Sequence, residues 1–173
     1  MHFRTERLFL RPFELDDAPK VQELAGDWEV AKMTSNIPHP YHDGLAEKWI
    51  ADGFRKRKLG SAYSWAIVRE KVIGCVSALD INGVQAELGY WLGRSFWGQG
   101  HATEAAAEVI SFGFQSLYLT HFIAQCLVEN HASARVLEKL GFHFLRIEER
   151  DRSTRGATKE VLTFNLLRKD WLH

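Results

Sequence analysis

The chain has no surplus of either charge: 22 Lys and Arg residues offset 22 Asp and Glu residues over 173 positions. A nucleic-acid footprint normally needs a basic excess to neutralise phosphates, so direct nucleic-acid binding is not expected. The short basic run "RKRK" at 55–58 reads as a solvated helix face. No apolar run reaches the roughly 18 residues of a membrane span, and the start, "MHFRTERLFLRPF", lacks the apolar stretch of a signal peptide. Cysteine is scarce. Cys75 and Cys126 each sit in a strand-like run, where a free thiol behaves as a small hydrophobe. No grouping of His and Cys has the spacing of a metal site, so no metal is expected. These absences favour a cytoplasmic protein with no membrane partner.

Size and composition are those of an ordinary globular chain, 46% hydrophobic and 25% charged, with length enough for one domain spanning 1–173. "RLFLRPF" (7–13) alternates like a strand. A helix follows to about Ala25, with Asp16 or Asp17 as its cap and Pro19 in its first turn. The two prolines of "MTSNIPHPYH" (33–42) exclude regular structure there. Helical spacing resumes through Leu45, Trp49, Ile50 and Phe54. "SAYSWAIV" and "KVIGCVSALDI" read as strands joined by "REK". Asn82-Gly83 is a hairpin signal, since both positions tolerate positive φ, and it leads into the strand "QAELGYWLG". Apolar residues from Ala102 to Leu117 recur at helical spacing. "THFIAQCLVE" is a strand, "HASARVLEKLG" a short helix closed by Gly141, and two strands near 142–151 and 159–167 frame "DRSTRGAT". The fold class is α/β with a mixed sheet.

Two stretches carry chemistry. In "WGQGHATEA" (97–105), Gly98 and Gly100 precede a helix start. Amides at a helix N-terminus have no helical partners, and without a Cβ nearby they and the positive helix end can hold an anion such as a pyrophosphate. A second reading is that the glycines only relieve tight helix–sheet packing. The dinucleotide fingerprint fails because Thr103 stands at its third glycine, and no Walker-type "GK[ST]" exists. In "VENHASARVLEKLGF" (128–142), Asn130 either caps the helix or holds an amide-bearing ligand. Ser133 is either a first-turn residue or a proton donor to a leaving group. Strand ends at 91–93 and 128–130 could splay apart beside the glycine turn and open a slot.

Together, "TERLFLRPFELDDA", "AELGYWLGRSFWGQGHATEA" and "ENHASARVLEKLGF" resemble the GCN5-related N-acetyltransferases (GNAT). The resemblance is strongest to the branch that acetylates the N-termini of ribosomal proteins, and it covers nearly the whole chain. It implies a mostly antiparallel central sheet flanked by helices, with splayed central strands. It also implies acetyl-CoA as cosubstrate. The family's pyrophosphate pattern falls on Trp97, Gly98, Gln99, Gly100, His101 and Ala102, with Trp97 in place of the usual Gln or Arg, and the helix amides continue through Thr103. The resemblance assigns the strand containing Leu88 to Leu92 to the pantetheine arm, and its backbone amides around Tyr90, Trp91 and Leu92 to the thioester oxyanion. It assigns Asn130 to the cofactor arm. Leu137 stands where many relatives carry a tyrosine acid, and Ser133 matches the branch's suggested thiolate partner.

The implied reaction is direct acetyl transfer to a primary amine, a protein N-terminal α-amine first among acceptors. No covalent enzyme intermediate is expected. Small-molecule amines, and a non-catalytic CoA sensor or scaffold, are the alternatives. Glu87, on the central strand two residues before Gly89, is the first candidate for the base that deprotonates the amine. Glu149 and Glu160 are weaker candidates, and His39 and Tyr41 lie in a loop able to cover an acceptor. A monomer or a homodimer is expected.

Overall fold

A computed structural model describes residues 1–152 and 157–171 of the chain. The middle of the "DRSTRGAT" loop, 153–156, lies outside the described residues. The first expected strand, 7–13, is present as a single strand, and a shorter one that the spacing does not show precedes it. The short β1 (Phe3–Arg4) pairs antiparallel with β2 (Phe9–Pro12), and Leu8 and Leu10 are buried. Helix α1 (Ala18–Ala25) has Pro19 in its first turn and Asp17 just before it. Asp17 does not cap the helix with its side chain. Its carboxylate turns back to the Glu14 amide at 2.8 Å and takes a bidentate pair from Arg11, with both distances 2.8 Å. The four-residue α2 (Trp28–Ala31), capped by Asp27, is too short to show a period in the sequence. Helix α3 (Leu45–Leu59) buries Ala46 and Ile50. Its basic run does not form one face. Arg55 and Lys56 pair with Asp52, while Arg57 lies over the Tyr63 and Trp65 rings and donates to the Ser64 carbonyl.

Strands β3 (Tyr63–Arg69) and β4 (Lys71–Leu79) are joined by Glu70 alone, at φ 61°. The connection from β4 to β5 (Gln85–Leu92) is longer than a two-residue hairpin. Only Gly83, at φ 84°, and Asp80, at φ 50°, take positive φ there, while the Asn82 side chain accepts from the Val84 and Gln85 amides. Helix α4 (His101–Gln115) stops short of Leu117. Strand β6 (His121–Leu127) leads to α5 (His131–Lys139), beyond which Gly141 adopts φ 87° and the Phe142 amide bonds the Leu137 carbonyl, a glycine-type stop. Strands β7 (His143–Arg152) and β8 (Ala157–Leu167) complete the sheet.

Among the described residues eight strands form one sheet, in the order β1-β2-β3-β4-β5-β6-β8-β7. Every pairing is antiparallel except that of β5 with β6. The larger apolar core, built on Trp65, Ile67, Ile110, Phe122, Leu137 and Leu166, lies under α4 and α5. A smaller one, with Phe13, Val21, Ile50 and Cys75, lies under α1 and α3 on the other face. This is a mixed α/β architecture with helices on both faces of a mostly antiparallel sheet.

The Asp17 pair supports a prediction about acid. Burial alone would raise the carboxyl's pKa, but Arg11 and the Glu14 amide outweigh it and hold the group below its ordinary value. A depressed folded-state value adds stability above the unfolded value near ~3.9, and that stability is lost as pH falls through the folded value. Asp17→Asn is expected to lower stability at neutral pH and to flatten the decline on acidification below about pH 4. Denaturant titrations at stepped pH check this; a parental slope in the variant would assign the acid sensitivity to other carboxylates.

Candidate active site

The parallel pairing of β5 with β6 covers only Gln85 to Leu88 against His121 to Ala124. Beyond it, β5 runs on to Leu92 and β6 to Leu127, so the strands fork as the sequence suggested. Side chains alternate along β5, which keeps regular register with β4. Tyr90 therefore faces the α4–α5 layer, while Glu87 and Trp91 face the α1–α3 layer, where Trp91 packs against the smaller core opposite Cys75. The fork joins two faces of the sheet.

Beside the fork stands the glycine turn. A 3-10 turn at Arg94–Phe96 follows β5, and the Trp97 indole donates to the Leu92 carbonyl at 2.9 Å, pinning the loop to the strand end. Gly98 and Gly100 take φ 71° and 80°, a conformation that side-chain-bearing residues rarely adopt. Among the described residues, apart from the adjoining ones in the chain, no atom lies within 4 Å of a Cβ placed at Gly98, and at Gly100 the neighbour is Arg7 Nη2 at 3.3 Å. The glycines are thus required by the turn itself and do not relieve helix–sheet packing. Gly98, Gln99 and Gly100 are exposed, and Gly100 precedes α4 with no side-chain cap. The first amides of the helix, on His101, Ala102 and Thr103, follow directly.

Sequence reasoning missed what holds this turn in place. Arg7 donates from Nη1 to the Gln99 carbonyl at 2.8 Å and from Nε to Glu104 at 2.7 Å. The Arg7 amide and the Thr5 hydroxyl bond the same carboxylate. Burial would raise the Glu104 carboxyl, but Thr5 and Arg7 outweigh it and hold it low. The available signal was the acidic residue in the first turn of the helix, which needs a partner once the turn is otherwise built of glycine. His101 is 1% exposed, with both ring nitrogens lacking a hydrogen-bond partner among the described residues. Burial first, then Arg7 and Arg69, lower its pKa and keep it neutral.

On the other side of the fork, Asn130 is the cap of α5, its Oδ1 accepting from the Ser133 amide at 3.1 Å. Its Nδ2 donates to the Met33 carbonyl at 3.3 Å, tying α5 to the loop after α2. In that loop His39 packs on Trp28, and Tyr41 packs on the smaller core. Ser133 Oγ lies 2.8 Å from the Tyr90 hydroxyl. Cys126 is buried, its thiol pushed up to about 11 by burial against the influence of Ser133. Leu137, one turn beyond Ser133, is 1% exposed.

Glu87 is not an isolated strand residue. Its Oε1 pairs with Arg150 of β7 at 2.8 Å, and the same Arg150 nitrogen reaches Gln125 Oε1 at 2.6 Å. Gln125 in turn donates to Glu148 and Thr163, each at 3.0 Å, so a polar chain crosses β5, β6, β8 and β7. Glu87 and Ser133 are not brought together on one face. Glu149 and Glu160 face each other across β7 and β8 and are exposed. Away from the fork, a cavity of about 60 Å³ between α3 and the sheet is lined by Phe13, Trp49 and Leu79. It has room for only a few water molecules and no link to these groups.

Comparison with known proteins agrees with this architecture. Residues 7–143 match the Acetyltransferase (GNAT) domain family. The chain is 33% identical over 173 residues to the uncharacterized N-acetyltransferase p20 of Bacillus licheniformis, covering 96% of each chain. Its fold is similar to that of a ribosomal-protein-S5-alanine acetyltransferase from Vibrio fischeri, with a TM-score of 0.85, 21% identity and all of both chains covered. It is also similar to RimL, a ribosomal L7/L12 alpha-N-protein acetyltransferase solved with coenzyme A, with a TM-score of 0.79, 19% identity and 96% and 98% covered. The forked sheet, the glycine turn that opens α4 and the match across most of the sequence lead to one assignment: this chain belongs to the GNAT acetyltransferase family.

Proposed function

We propose that the chain, acting as one domain over 1–173, transfers the acetyl group of acetyl-CoA to a protein N-terminal α-amine by direct attack. The observation that carries the reading is the exposed, uncapped N-terminus of α4 beside a fork in the sheet. Amides and a helix end free of side chains suit a diphosphate, and Arg7 adds a guanidinium at the same turn. The coenzyme A bound in RimL, a protein of similar fold, supports acetyl-CoA as the carrier. The acceptors named for RimL and for the Vibrio fischeri protein support a protein N-terminus.

In this reading Gly98 to Thr103 hold the pyrophosphate, and the arm enters the fork along Tyr90, Trp91 and Leu92, whose amides serve the oxyanion. Asn130 contributes by holding α5 and its Ser133 in place beside the arm. The acceptor approaches from the α1–α3 face, where Glu87 stands. An α-amine, with a pKa near ~7.7–8.0, is partly neutral at physiological pH, so a modest base suffices. Glu87 takes that role with Arg150 fixing one of its oxygens.

The test is release of free thiol from acetyl-CoA in the presence of peptides with free or blocked N-termini. Release is expected only with a free N-terminus, even when every peptide carries lysine. Release with small amines alone would assign a small-molecule acceptor, and binding without acceptor-dependent release would leave a sensor. With a productive peptide, Glu87→Gln is expected to lower kcat by about 100-fold. A parental rate would pass the role to water or to another carboxylate.

A further inference from the structure

We propose that Tyr90 and Ser133 form one hydrogen-bonding unit that stabilises the thiolate leaving in acetyl transfer, with Tyr90 aiming the Ser133 hydroxyl into the fork. The proposal rests on the acetyl-transfer reading above and adds a tyrosine side chain to it.

Tyr90 lies on β5 just past Leu88, the last residue that pairs with β6, so its side chain leaves the strand where the fork opens. Its hydroxyl reaches the first turn of α5, 2.8 Å from Ser133 Oγ and 3.3 Å from the Ser133 carbonyl. The backbone of Ser133 is itself fixed, because its amide is taken by the Asn130 cap. A serine hydroxyl has one proton and two acceptor sites. Left alone in a helix, that proton can turn back to a carbonyl of the preceding turn. With Tyr90 donating to Oγ, the serine proton is left for another acceptor, for which the Cys126 sulfur beside it is the competitor within the protein, and a donor that itself accepts a hydrogen bond is strengthened. Leu137, the next residue on the same side of the helix, has no proton to offer.

The other groups near the pair are compatible with a donor role. Burial pushes the Tyr90 hydroxyl well above its ordinary pKa and the Cys126 thiol up to about 11, so both stay protonated. During transfer the new C–N bond forms and the C–S bond breaks, leaving its electron pair on sulfur. Ser133 donates a hydrogen bond to that sulfur and Tyr90 donates to Ser133. Neither residue gives up its proton, and the proton lost by the amine leaves on the Glu87 side.

The experiment needs no acceptor. Affinities for CoA and for acetyl-CoA are measured by calorimetry from pH 7 to pH 9.5, a range that spans the ordinary thiol pKa near ~8.5. A site that favours the thiolate binds CoA more tightly as the thiol ionises, whereas acetyl-CoA has no thiol. The ratio of the two affinities therefore cancels any general weakening. In the parent this ratio is expected to move about tenfold toward CoA across the range. Tyr90→Phe and Ser133→Ala should each remove most of that movement, and the double variant should remove no more than Ser133→Ala alone. The titratable group recorded against the pair is the Cys126 thiol of β6, which lies within reach of the Ser133 side chain, and Glu138 of α5 acts on that thiol in turn. Cys126→Ala and Glu138→Gln should keep the movement. A flat ratio in the parent, a full movement in Tyr90→Phe, or its loss in either control variant would overturn the proposal. If neither carrier binds, the acetyl-transfer reading falls first and takes this one with it.

Discussion

Gly100→Val is expected to weaken acetyl-CoA binding by at least about 100-fold. Gly100 holds φ 80°, and a β-branched residue there costs roughly 1–2 kcal/mol or forces the turn to change. The change falls on the amides proposed to grip the pyrophosphate. The new side chain also starts 3.3 Å from Arg7 Nη2, and Arg7 holds the Gln99 carbonyl from its other nitrogen. Losing two charge-assisted hydrogen bonds, at about 1.5–3 kcal/mol each, exceeds the ~2.7 kcal/mol that 100-fold requires. Gly83→Val is the control. Gly83 has the same hand, at φ 84°, in an open turn on the β4–β5 connection. It should lower stability while leaving acetyl-CoA affinity near the parental value. Equal binding by the Gly100 variant, measured calorimetrically on folded protein, would place the carrier elsewhere.

Phe122→Ala is expected to lower stability by about 3–5 kcal/mol and the melting temperature by roughly 10 °C. Phe122 is 0% exposed, stacks edge-on with Phe114 and lies under α4 at Gly113. A Cβ on Gly113 would sit 2.4 Å from Phe122 Cζ, so the helix rests directly on the ring. Gly113→Ala alone should therefore destabilise, because backbone or ring has to move. In the Phe122→Ala background the ring clash is gone, the Leu119 Cδ1 at 3.2 Å is the end of a flexible side chain with new space beside it, and alanine is favoured over glycine in a helix interior by about 1 kcal/mol. The same substitution should then stabilise. A change of sign between the two backgrounds, read by denaturant titration, is the diagnostic result. A Gly113→Ala effect of the same sign in both would mean that the ring does not set the height of α4. In the proposed reading that height bears on cofactor binding, since the other end of α4 opens on the glycine turn.

Periodicity made most elements legible. Strands β3, β4, β6 and β8 and helices α3, α4 and α5 follow from apolar spacing, because each buries one face or one stripe. Helix α2 and strand β1 escaped, being too short to repeat a pattern. The Asn82-Gly83 signal marked the right turn with the wrong loop, since the Asn82 side chain bonds two following amides instead of entering the left-handed region. The sequence offers Asp16 or Asp17 as the cap of α1, but the Asp17 carboxylate is taken by a guanidinium from β2 and by the Glu14 amide.

By itself the sequence determined where glycine was unavoidable, which residues start α4 and α5, and the family to which the chain belongs. All of these depend on neighbours a few residues apart or on a recognisable string. Tertiary structure alone decided that Arg150, 63 positions from Glu87, occupies its carboxylate, that Arg7 reaches Gln99 across 92 positions, and that Tyr90 meets Ser133 across 43. The physical reason is the sheet order. It places β7, β8, β5 and β6 side by side irrespective of their distance along the chain, and a fork between two parallel strands exists only once both are laid in the sheet.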